Sequence, residues 1–141
     1  MINELREVDG LGYFLYRSSA APGLSSGDTQ DILRSARHRN QALGLTGCLH
    51  FEDGMFFQWL EGPKEGLIEV VELILEDDRH EDITILDQGA LDLRRFQDWR
   101  MRFSDKDRAS LMDWFASSGK STVRPQDYAG AVVAFLVSIA I

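Results

Sequence analysis

Cysteine is nearly absent. Cys48 stands alone in 141 residues, so no intramolecular disulfide and no multi-cysteine metal site can form. The count fits a reducing, cytoplasmic setting. Positive charge is short as well: 15 Lys and Arg face 23 Asp and Glu, for a net charge of -8. Nucleic-acid binding needs a basic patch that neutralises phosphates, and here the cations are scattered, so no direct nucleic-acid partner is expected. Long apolar runs are missing too. The longest, Ala129 to Ile141, is broken by Gly130 and Ser138 and is too short to cross a bilayer, so no membrane span is expected. Met1-Ile2-Asn3-Glu4 offers neither a basic nor an apolar leader region, and no signal peptide is expected. Repeats and Gly-rich dinucleotide motifs are also lacking.

What is present is a globular composition, 44% hydrophobic and 27% charged, in a chain long enough to bury a core without staples. Leu11 to Arg17 reads as a first strand, rich in aromatics. A loop with Pro22 and Gly23 follows, and Ser25 or Ser26 can cap the next helix. That helix carries Ile32, Leu33, Ala36 and Leu43 on one face and reaches Gly44, a C-cap glycine. Thr46 to Glu52 and Met55 to Glu61 read as strands joined by Asp53-Gly54, a strong hairpin signal. Pro63 marks the start of a second helix, with Leu67, Val70, Val71 and Ile74 inward and Glu65, Glu69, Glu72 and Glu76 outward. Ile83 to Leu86 and Trp99 to Phe103 complete five strands. Helices are expected near Asp105 to Ser117 and Pro125 to Ala140.

This β-α-β-β-α-β-β order gives an α+β fold whose first six elements are the ferredoxin-like βαββαβ unit. Alternation places Phe56, Gln58 and Leu60 on one face of the third strand and Met55, Phe57 and Trp59 on the other. Both faces are apolar, so both should be covered. The crossover helices cover one, and the two C-terminal helices are expected on the opposite sheet face.

Three polar residues break the pattern, which is where functional sites concentrate. Asn40 lies on the apolar face of the first helix, Gln58 sits mid-strand, and Tyr16 belongs to the strand expected beside it. An unpartnered buried amide costs about 1–3 kcal/mol. The amides could bond each other or nearby backbone, or Asn40 could be exposed near its helix end. They could instead face a bound polar heterocycle, since an amide offers both donor and acceptor. The pattern alone does not choose among these.

An enzyme would need a nucleophile or an acid–base pair. Cys48 reads as inert core. His38, His50 and His80 share no metal-ligand spacing, with His38 solvated and His50 filling space. An acylphosphatase-type loop would need an arginine after the first strand, and Ala20 to Ser26 has none. An RNA-binding sheet would need an open basic face. A flavin-free interaction module is a further alternative.

Taken together, several segments resemble the BLUF domain, the blue-light sensor using FAD: Tyr16-Arg17-Ser18, Asn40 before Leu45-Thr46-Gly47, Phe57-Gln58-Trp59-Leu60-Glu61-Gly62, Asp77-Asp78-Arg79-His80, and Arg95-Phe96 with Trp99 and Met101. The resemblance runs from about Leu11 to Phe103. It implies a photosensor over residues 1–104 with a helical extension over 105–141, and a sensor in place of an enzyme. By the same resemblance Tyr16 and Gln58 are the photoactive pair, Asn40 holds the pyrimidine edge, and Ile32 and Ile74 sandwich the ring. Asp77, Arg79 and His80 lie near the flavin's polar parts, and Trp99 and Met101 relay the signal. Arg39 and Leu73 depart from the family pattern, with Arg39 a candidate flavin contact. FAD is the expected cofactor, with FMN an alternative. The expected partners are a separate effector protein and further copies of the chain.

Overall fold

A computed structural model describes residues 3–23, 25–96, 102–105, 109–118 and 125–139. The elements run α1 (Asn3–Arg6), β1 (Leu11–Ala20), α2 (Ser26–Leu43), β2 (Thr46–Glu52), β3 (Met55–Pro63), α3 (Lys64–Glu76), β4 (His80–Ala90), β5 (Arg102–Asp105), α4 (Leu111–Ser118) and α5 (Pro125–Ile139). The strands form one sheet in the order β4-β1-β3-β2-β5. Every neighbouring pair is antiparallel except β2 and β5, which run parallel. The ferredoxin-like unit with a fifth strand is therefore present.

Local chemistry fixes the ends of these elements. Ser25 caps α2 through a capping box with Asp28, and Gly44 closes it in the left-handed conformation, as a C-cap glycine does. Asp53 and Gly54 both take positive φ, 51° and 78°, the signature of a tight I′ hairpin. At Gly47 a Cβ would lie 2.0 Å from the Trp59 carbonyl oxygen, so only glycine lets β2 and β3 approach there.

The sheet is covered on both sides, as its doubly apolar third strand requires. Phe14, Leu49, Phe56 and Leu60 pack beneath Leu33, Leu67, Val70, Val71 and Ile74 of the crossover helices. On the reverse face Leu15, Cys48, Phe57 and Trp59 meet Leu111, Val132, Phe135 and Leu136 of α4 and α5. Each fully buried side chain of this size contributes about 1.5–3 kcal/mol, so both layers belong to the fold.

Some boundaries differ from expectation. β4 spans His80–Ala90, well beyond Ile83 to Leu86, because it pairs along nearly all of β1. It is an edge strand in which Glu81, Asp82, Asp87 and Gln88 interrupt the apolar alternation. β1 likewise extends through Ser18, Ser19 and Ala20. α1 was not legible as an element. α4 starts at Leu111, later than the expected Asp105. The fifth strand is described from Arg102, so Trp99 and Met101 lie outside the described residues. Among the described residues, no helix is long and apolar enough to cross a membrane.

Candidate functional site

Tyr16 on β1 and Gln58 on β3 are ladder partners, and both are buried on the face beneath α2 and α3. The Tyr16 hydroxyl donates a hydrogen bond to Gln58 Oε1, which turns the amide's NH2 end away from the phenol. Burial raises the Tyr16 pKa well above its ordinary value; Arg39 opposes this shift and Asp77 reinforces it. The phenol is therefore a neutral donor at any ordinary pH.

A cleft opens above this pair between the two crossover helices. Tyr16, Gln58, Leu49 and Phe56 form its floor, and Ile32, Ala36 and Arg39 of α2 face Ile74 of α3. Asp77, Arg79 and His80 close one end. Arg79 forks onto Asp77, with its side-chain nitrogens 2.7–3.1 Å from the two carboxylate oxygens. That hydrogen bonding holds the Asp77 carboxyl below the usual range and raises Arg79. His80 lies with Nε2 2.8 Å from the Ile74 carbonyl oxygen and Nδ1 2.8 Å from Ser18 Oγ. A carbonyl only accepts, so Nε2 carries a proton. The ring ties the end of α3 to β1, with its edge toward Tyr16.

The structure thus brings together Tyr16, Gln58, Ile32, Ile74, Arg39, Asp77, Arg79 and His80. Asn40 is fully buried, which rules out an exposed helix-end residue, but it is not part of the cleft wall. Its backbone carbonyl accepts the amides of Gly44 and Leu45. Leu73 is 44% exposed on α3. Ala36, Leu49 and Phe56, expected only as core, also line the cleft; Leu49 pairs with Gln58 in the β2–β3 ladder, and Phe56 shares the Gln58 face.

The cleft suits a flat heterocycle with a polar edge. Its walls are apolar where Ile32 and Ile74 oppose each other. Arg39 Nε is buried and has no hydrogen-bond partner among the described residues, and burial lowers the Arg39 pKa. A buried donor without an acceptor is costly, and a ring carbonyl in the cleft would satisfy it. A flavin's pyrimidine edge carries such carbonyls, so the residues present fit that group.

The reverse face carries its own buried polar groups, which sequence reasoning missed. Glu61 is fully buried and accepts from Trp59 Nε1, Thr46 Oγ1 and the backbone amides of Arg95 and Phe96. It pins the start of the β4–β5 connection to β3. His50 does more than fill space, since it bonds Ser104 and Glu52.

Comparison with known proteins agrees with this geometry. The family model for BLUF, sensors of blue light using FAD, matches residues 11–102. The photoactivated adenylate cyclase subunit beta of Euglena longa is 28% identical over 123 residues, covering 84% of this chain and 14% of that protein. The chain therefore spans a small part of the curated relatives it matches. The dark-state structure of BlrB, a BLUF protein, is 32% identical with a TM-score of 0.73, covering 91% of this chain and 98% of that one. The photo-activated state of BlsA is 28% identical with a TM-score of 0.80, covering 93% and 95%. The chain belongs to the BLUF family, the blue-light sensors that bind a flavin.

Proposed function

We propose that Tyr16 and Gln58 are the photoactive pair of this sensor and that their hydrogen bond is what light rearranges. The observation that carries this reading is the phenol-to-amide bond at the floor of the cleft. A bound flavin supplies blue-light absorption and, when excited, a strong oxidant. Tyr16 gives up an electron and its hydroxyl proton and later regains both. Gln58 meanwhile rotates or tautomerises, so its donor and acceptor ends exchange places. The tyrosine hydroxyl then faces a different end of the amide, and the amide end turned into the cleft would donate a hydrogen bond to a bound flavin, whose absorption would move slightly to the red. This two-state element is set by local hydrogen bonding, as a reversible switch requires.

Ile32 and Ile74 grip the ring, and Arg39 directs its Nε toward a ring carbonyl. Asp77, Arg79 and His80 shape the polar end of the cleft, and Asn40 holds the pyrimidine edge of the ring. FAD is the preferred cofactor, with FMN sharing the same ring. Residues 1–104 act as the sensing unit and 105–141 as its extension, with Trp99 and Met101 on the route between them. The chain is a sensor without catalytic output of its own. It works in the cytoplasm, as a homo-oligomer, through a separate effector protein.

Absorption of the purified chain before and after blue light tests this reading. Flavin bands with a small, dark-reversible red shift are expected, and Gln58→Leu should abolish the shift while flavin stays bound. A chain that remains colourless after reconstitution would be a ferredoxin-like interaction module instead.

A further inference from the structure

On the face opposite the cleft, Ser104, His50 and Glu52 form a cluster sealed from solvent at 2%, 0% and 3% exposure. His50 Nε2 is 2.9 Å from Glu52 Oε1, and His50 Nδ1 is 3.1 Å from Ser104 Oγ. A carboxylate only accepts, so Nε2 carries the proton, and the neutral ring accepts the Ser104 hydroxyl at Nδ1. Glu52 also accepts the backbone amides of Leu111 (2.6 Å) and Met112 (3.2 Å) and the hydroxyl of Ser110 (3.0 Å). One unbroken hydrogen-bond chain therefore runs from β5 through β2 to the first turn of α4.

Its place in the sheet matters. Leu49 on β2 is paired with Gln58 on one side and Phe103 on the other, while His50, the next residue, is paired with Phe57 and Ser104. The ladder position of His50 and Ser104 therefore adjoins that of Gln58, on the opposite face of the same sheet. Serine, histidine and glutamate are also the residue types of a hydrolytic triad, but here all three are buried, without room for a substrate.

We propose that Ser104, His50 and Glu52 form a latch that makes the seating of α4 depend on the position of β5, and so on the state of Gln58. This rests on the sensor reading above. The latch is sensitive to displacement because its members are sealed from solvent. At 3.1 Å, a shift of β5 by about half an ångström takes Ser104 beyond hydrogen-bond range of His50, at a place that bulk solvent does not reach. The ring then loses its anchor, and with it the orientation that aligns Glu52 on α4. An eight-residue helix does not hold itself together in water, so its first turn depends on the packing of Leu111 and on that carboxylate. Interior elements with discrete arrangements are what carry a signal between sites.

Amide hydrogen exchange across residues 111–118 tests the latch, measured on the full FAD-loaded chain in darkness and under continuous blue light. Faster exchange in light is expected for the natural sequence. Ser104→Ala should keep the red shift but lose most of the light-to-dark exchange ratio, and Ser104→Thr, which retains a hydroxyl, should restore it. If Ser104→Ala does not fold, Ser104→Cys gives the same comparison through its weak donor. A purely structural serine would change dark and light exchange by the same factor and preserve the ratio; that result overturns the latch. Equal exchange in dark and light, in a natural-sequence protein that still shows the red shift, overturns the latch and leaves the sensor intact. No red shift at all removes both.

Discussion

Tyr16 and Gln58 sit directly opposite each other on β1 and β3, with the phenol donating to the amide oxygen in a buried site. A side chain that can exchange its donor and acceptor ends by rotation thus faces a partner that can lose and regain a proton. Replacing Tyr16 with Phe leaves a buried amide oxygen without its donor, at a cost of about 1–3 kcal/mol. Tyr16→Phe should bind flavin, show no red shift, and unfold at lower urea. A Tyr16→Phe protein with a normal light-induced shift would remove Tyr16 from the switch.

Arg39 should have opposite effects on the empty and the loaded protein. Its Nε is buried without a partner among the described residues, so Arg39→Met should raise the melting temperature of the flavin-free chain. A hydrogen bond to a charged group is worth about 1.5–3 kcal/mol, so the same change should weaken flavin binding roughly tenfold to a hundredfold. Titration of the flavin-free proteins with FAD, beside their thermal melts, checks both signs. Unchanged flavin affinity would place Arg39 outside the cofactor contacts.

Glu61 should be far more costly to remove than an acid on a wet helix face. Glu61→Ala strands the indole N–H of Trp59 and the amides of Arg95 and Phe96 in the interior. Loss of a buried network of this kind costs about 3 kcal/mol or more. Equilibrium denaturation should show this loss, whereas Glu69→Ala, on the wet face of α3, should stay within about 0.5 kcal/mol of the natural sequence.

Acid should destabilise the fold in two steps. Burial holds His50 below its ordinary 6.5, even against the pull of Glu52. The unfolded chain therefore gains a proton that the folded one refuses, and stability falls as pH drops below about 6.5. Burial alone would raise Glu52, but hydrogen bonds from His50, Leu111, Met112 and Ser110 outweigh it and hold the carboxyl below its ordinary 4.5. A second loss begins below that value, as falling pH approaches the folded-state pKa. Denaturation midpoints between pH 8 and pH 3 should show both steps, and His50→Leu should flatten the first. An unchanged pH profile in His50→Leu would rule out the assignment.

Much of this was legible in the chain because the signals were local. Asp53-Gly54 announced its hairpin, Ser25 and Gly44 bracketed α2, and the doubly apolar third strand required two covering layers. Tyr16 and Gln58 stood out as polar residues in apolar strands, and strand order brought them together. The buried acids were not legible. Glu52 and Glu61 each have one partner two residues away, His50 and Trp59, but the backbone amides that complete their burial come from Leu111 and from Arg95 and Phe96, dozens of residues away, and those are not visible in the sequence. The length of β4 was hidden for a related reason: an edge strand needs no apolar alternation to pair along its one neighbour.

That edge also bears on how copies of the chain can meet. A strand with one unpaired side invites another strand to add to it. Here Glu81, Asp82 and Asp87 line β4, and Asp82 carries a positive φ of 55° near a register shift. Two such edges brought together would set acid against acid along a bent backbone. Sheet-to-sheet growth through β4, and the aggregation it leads to, is therefore discouraged at neutral pH.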